Sequence, residues 1–135
     1  MRHIPFLIAI IITLIACEKD RMENYRIEFS GGFLFHTVIR DENKIIDTVD
    51  YEGIIEPVYS NLTDIIYIRF TPALIIDPIL KEDGRLEKNT WWSDQGVPMS
   101  IAGAFRDNKE SIVFSYMTGT EQKYILYQVS GQRIK

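Results

Sequence analysis

His36, the carboxylates Asp50, Glu52 and Glu56, and the segment Trp91-Trp92-Ser93-Asp94-Gln95 are the residues of this 135-residue chain whose types could do chemistry. Nucleophilic catalysis by His36 would need a serine or cysteine beside it and a carboxylate behind it. The sequence offers no Gly-x-Ser-x-Gly turn to supply the first. His36 stands between Phe35 and Thr37 in an alternating run, in step with Leu34, Val38 and Arg40, where a solvated strand face is its ordinary place. Paired carboxylates could run glycoside hydrolysis, and Asp50, Glu52 and Glu56 share one strand face. Their alternation with Val49, Tyr51 and Ile55 puts them opposite the apolar face, whereas a catalytic carboxylate needs a partly apolar pocket to shift its pKa. Asp41, Glu42, Asp83 and Asp107 fall in turns without the alternating oxygen ligands of a calcium loop. Cys17 is the only cysteine, which excludes a disulfide within the chain and a cysteine-based zinc site. The expectation is a protein without enzymatic activity, cofactor or metal.

Trp91-Trp92-Ser93-Asp94-Gln95 has a binding character instead. It lies in the longest apparent loop, 88–98. Indole rings stack on sugar rings or anchor protein interfaces, and Asp94 and Gln95 could bond hydroxyls beside them. Adjacent residues of an extended chain point opposite ways, so one ring should turn inward and the other outward. Trp91, Trp92, Asp94 and Gln95 form the candidate binding loop.

β structure must position these residues. From Tyr25 onward the apolar period is two: Phe33, Phe35 and Ile39 share a face, as do Ile112, Phe114 and Tyr116, and Ile125, Tyr127 and Val129. Turn residues separate the runs at Arg40-Asp41-Glu42-Asn43, Lys81-Glu82-Asp83-Gly84, Arg106-Asp107-Asn108-Lys109 and Thr118-Gly119-Thr120-Glu121. Short loops join antiparallel neighbours. The pattern predicts an all-β domain: an antiparallel meander of about eight strands, forming a small lipocalin-like barrel or a two-sheet sandwich. Gly31-Gly32, Gly53 and Gly103 read as bulges or bends. Pro72 and Pro78 demote the strand between them to an edge. Inward Phe35, Tyr51, Phe105 and Phe114 would fill so small a barrel.

The first 24 residues follow another pattern. Arg2 precedes an apolar run from Ile4 to Ile15, shorter than the roughly 20 residues needed to span a bilayer. The run ends at Leu14-Ile15-Ala16-Cys17, followed at once by Glu18-Lys19-Asp20. That order resembles a bacterial lipoprotein signal, with a lipobox ahead of the cysteine. The resemblance implies cleavage before Cys17, a diacylglycerol on its sulfur, and a further acyl chain such as palmitate on its amine; two or more chains anchor stably. The chain then divides into a signal peptide (1–16), a lipidated cysteine and polar tether (17–24), and one domain (25–135). The domain would be tethered to the bacterial outer membrane and not span it. Glu18 and Asp20 form an imperfect version of a surface-export signal, which leaves the periplasm and the cell surface both open.

Processing would remove Arg2 and His3, leaving an acidic chain with His36 as its one histidine. That balance argues against nucleic acid and against charge-driven attraction to anionic headgroups. The domain also resembles a loose group of small bacterial lipoproteins. The residues concerned are Phe33 to Phe35, Tyr51-Glu52-Gly53-Ile54, Asp83-Gly84-Arg85-Leu86 and Gly131-Gln132-Arg133. The resemblance implies an all-β lipid-anchored domain and no particular activity. Three functions remain: a non-catalytic binding or structural domain for a protein or glycan partner, a small carrier of apolar ligands, and an envelope hydrolase. The first is the expectation.

Overall fold

A computed structural model describes residues 25–58, 64–89, 100–120 and 122–135. The described chain is almost entirely β. Its nine strands are β1 (Gly31–Asp41), β2 (Lys44–Pro57), β3 (Ile66–Thr71), β4 (Leu74–Ile76), β5 (Ile79–Leu80), β6 (Arg85–Glu87), β7 (Ser100–Arg106), β8 (Ser111–Gly119) and β9 (Tyr124–Arg133). They form one antiparallel sheet in the order β4-β3-β2-β1-β9-β8-β7-β6-β5. Two meanders, β1 to β4 and β5 to β9, are joined by the long-range pairing of β1 with β9.

The sheet curls into a half-barrel whose flanks meet at one corner. Ile65, just before β3, bridges to Ile79 of β5. Ile66 N donates to Pro78 O at 3.2 Å and Leu80 N donates to Asp64 O at 2.7 Å. This seam ties down short strands that would otherwise leave unpaired edges. The Pro-flanked β4 is an edge strand, because proline cannot donate to a ladder.

The alternating runs give the two faces directly. Phe33, Phe35, Ile55, Ile66, Ile68, Phe70 and Ile112 are fully buried on the inner face, with Phe114 and Tyr116 nearly so. Phe70 meets Phe114 edge-on, with ring centroids 5.3 Å apart. The interior is filled by side chains.

The glycines differ from expectation. Register runs unbroken through Gly53 and Gly103, and the irregularities lie instead at Ile39/Arg40 and Arg69/Thr71. Room for the rings is the reason for these glycines. A Cβ on Gly53 would stand 1.9 Å from Arg69 O and 3.0 Å from the Phe35 ring, and one on Gly131 would stand 2.7 Å from that ring. One on Gly103 would fall 2.3 Å from Phe114 Cβ. Turn chemistry follows the sequence more closely: Gly84 and Asn108 take positive φ, as does Gly119.

One end of the half-barrel is stoppered by a helical turn at 25–29. Phe29 is buried, its ring 4.8 Å from that of Phe105. Tyr25 Oη donates to Leu80 O at 2.9 Å. Arg26 is also buried, and its Nη1 donates to Val58 O and Ile65 O, both at 3.0 Å. Arg133 fastens the turn from the other side. Its guanidinium lies 4.8 Å from the Phe33 ring centre and donates to Ser30 O, Glu28 O and Lys109 O.

Candidate functional site

The outer face of the sheet carries one row of residues in register across six strands. Asp50 on β2 pairs with His36 on β1, His36 with Ser130 on β9, and Ser130 with Val113 on β8. Val113 then pairs with Ala104 on β7, and Ala104 with Arg85 on β6. The neighbouring row runs through Val38, Gln128, Ser115 and Ala102. Between them lies an open groove of about 610 Å³. The small side chains of Ala102 and Ala104 leave space that longer ones would fill. Around them stand hydrogen-bonding groups: His36, Ser115, Gln128, Ser130 and Arg106.

Two contacts fix the polar side chains of one wall. His36 Nδ1 lies 2.7 Å from Asp50 Oδ1, and Arg40 Nε donates to Gln128 Oε1 at 2.6 Å. Both contacts are exposed, so they orient side chains more than they stabilise the fold. Where the row reaches β6, Asp83 is held below the usual carboxylate range by the Arg85 backbone N–H first, and then by its guanidinium. The same pair raises the pKa of Arg85.

The order Asp50, His36, Ser130 follows that of a nucleophilic triad; His36 and Asp50 stand out by type, but nothing local in the chain points to Ser130. The carboxylate lies 14 residues from the histidine and the serine 94 residues away, so only the β1–β2 and β1–β9 registers bring them together. Acyl transfer also needs backbone donors aimed at a developing oxyanion. Ser130 sits mid-strand between β1 and β8, where the backbone belongs to ladders on both sides. The row presents the hydrogen-bonding groups of Asp50, His36 and Ser130 side by side on the outer face.

The other residues singled out by type separate. Glu52 and Glu56 are exposed on the outer face. Among the described residues, no group of three or more His, Cys, Asp or Glu is placed to hold a metal ion. Cys17 and the candidate loop residues Trp91, Trp92, Asp94 and Gln95 lie outside the described residues. That loop rejoins the sheet at Ser100, two positions before Ala102 of the groove. Comparisons with protein-family models, curated proteins and solved structures gave no significant match, so the functional reading rests on these residues alone.

Proposed function

We propose that the chain is a lipid-anchored envelope protein whose domain binds a polar partner without catalysis, with a glycan as the ligand class its groove suits best. The observation that carries this reading is the contrast between a filled interior and an open groove of about 610 Å³ on the outer face, with small apolar residues along it and His36, Ser115, Gln128 and Ser130 as its hydrogen-bonding groups. A carrier of apolar ligands would need a cavity where Phe35, Phe70, Phe114 and Tyr116 pack. Hydroxyl-rich ligands match the mixed donors and acceptors of His36, Ser115, Gln128 and Ser130. Trp91 and Trp92, one strand-start away in sequence, would add stacking surface. The anchor rests on the lipobox-like Leu14-Ile15-Ala16-Cys17.

Two measurements test the two halves of this proposal. Protease treatment of intact cells carrying the tagged protein, with Cys17→Ala as control, reads anchoring and side. Loss of membrane association in Cys17→Ala supports the anchor, and its persistence refutes it. Titration with a panel of oligosaccharides, followed by tryptophan fluorescence, reads the groove. Saturable binding abolished by His36→Ala with Gln128→Ala supports glycan recognition. Binding unaffected by that pair places the ligand elsewhere.

A further inference from the structure

The outer face carries a second feature, apart from the groove. At the stoppered end, exposed apolar residues form a row across the sheet. Ile134, 41% exposed, lies over Gly32, whose absent Cβ would meet its Cδ1 at 3.8 Å. Gly32 pairs with Ile54, Ile54 with Arg69, and Arg69 with Ile75 on edge strand β4. Leu34 and Tyr67, one outward position along β1 and β3, widen the row. Leu34 is 55% exposed, Ile54 44%, Tyr67 42% and Ile75 39%. Single exposed apolar residues are ordinary, but five gathered around Gly32 and Arg69 need an occupant.

The tether identifies that occupant. Tyr25 is fixed into the stopper, and Gly31 begins β1 directly above it. From Cys17 to Tyr25 there are eight peptide steps, at most about 29 Å when fully extended. β1 alone, ten steps from Gly31 to Asp41, runs about 33 Å. The tether joins the domain at Tyr25, so a lipidated Cys17 keeps the stoppered end within this reach of the bilayer, while the Asp41–Lys44 hairpin lies a strand length from that end.

Resting on the lipid-anchor reading above, we infer that the row Ile134, Gly32, Ile54 and Ile75, with Leu34 and Tyr67, docks on the bilayer that carries the anchor. Glu52 and Glu56 border the row, so the contact is a shallow one at the headgroup boundary, with Arg69 at phosphate depth. Its drive is apolar burial and not net charge. The groove, farther along the same face, is left open to ligand.

The test uses the lipidated chain in phosphatidylethanolamine–phosphatidylglycerol vesicles. Intact mass reads the lipid on Cys17 separately. With that sulfur blocked as a diacylglyceryl thioether, Ile54→Cys, Ile134→Cys and Asn43→Cys each carry one free thiol for an environment-sensitive dye. Docking predicts a blue shift and several-fold stronger quenching by doxyl lipids at positions 54 and 134 than at 43, unchanged by raised salt. Equal quenching at all three positions on lipidated protein overturns the docking and leaves the anchor standing. Unmodified Cys17 in the mass overturns the anchor and the docking with it. A blue shift at position 54 that needs no vesicles and grows with protein concentration assigns the row to a second copy, and also overturns the proposal.

Discussion

The two faces of this sheet use the same strands for opposite purposes. On the inner face, Phe33, Phe35, Phe70 and Phe114 pack so closely that Gly53, Gly103 and Gly131 have no room for a Cβ. On the outer face, small and polar residues on β1, β7, β8 and β9 leave a groove, and the apolar row at the stoppered end stays in water, as do Ile45 and Ile46 beside the β1–β2 hairpin. Period-two alternation makes such a division available, because each residue belongs to one face or the other. Stability should therefore be concentrated on one face, and binding on the other. Substitutions that respect the division should change one property and leave the second alone.

The largest effect belongs to the inner face. Gly53→Ala places a methyl 1.9 Å from Arg69 O, a backbone atom that moves only if β2 and β3 separate. The expected loss is about 3 kcal/mol or more, read as a lowered urea midpoint. A loss under about 1 kcal/mol would mean that the Phe35 pocket is loosely packed and the comparison overdrawn.

Arg26 comes next. Arg26→Ala removes the donor to Val58 O and Ile65 O and leaves both carbonyls facing the space vacated by a buried side chain. The expected cost is about 2–4 kcal/mol. Arg26→Lys should recover only part of this, because an ammonium lacks the planar fork of a guanidinium. Full recovery by lysine would reduce the role to charge alone.

Tyr25 adds a pH signature to the same stopper. Burial first, and then the charge of and hydrogen bond to Asp64, push its pKa from 10.0 to about 12. The folded state thus favours the neutral phenol. Its stabilising contribution is complete below pH 10, falls as pH rises, and is gone above about 12. Wild type minus Tyr25→Phe, measured by thermal unfolding, should shrink across that window, while differing by about 1 kcal/mol at neutral pH. Tyr127 also titrates late because of burial, but it is common to both proteins and cancels in the difference. A difference independent of pH would remove the Leu80 and Asp64 contacts from the account.

How much of this could be read from the residues depended on sequence distance. Alternation identified the inner faces of β1, β8 and β9, and Pro72 and Pro78 identified the edge strand. These are local signals. The expected count of about eight strands agrees with the nine observed, and the 2-residue β5 is too short for periodicity to register. Gly53 and Gly103 were misread as bends because a glycine making room for a ring looks the same in one dimension as a glycine making a bulge. Arg26 carried no signal at all: a basic residue between Tyr25 and Ile27 becomes a buried stopper only because Val58 and Ile65 converge on it. The groove was hidden, since it depends on the β1–β9 pairing, which closes across almost the whole domain, and the apolar row needed the registers of β1 to β4 to align it.

The smallest expected effect on stability is the most informative about function. His36 and Asp50 have side chains 52% and 74% exposed, and their 2.7 Å contact lies in water. Pairs of that kind contribute little to folding, because solvent screens them and ordering both side chains has an entropic cost. His36→Ala should therefore change unfolding free energy by no more than about 0.5 kcal/mol. The same substitution removes the polar group at the centre of the Asp50–His36–Ser130 row. If the outer face is the binding face, a glycan titration should weaken while the melting curve stays in place. A melting curve that moves as far as that of Arg26→Ala would show that the row supports the fold and that the two faces are not separable. Unmoved curves in both assays would shift the search along β7 toward the loop that begins beyond Asn89.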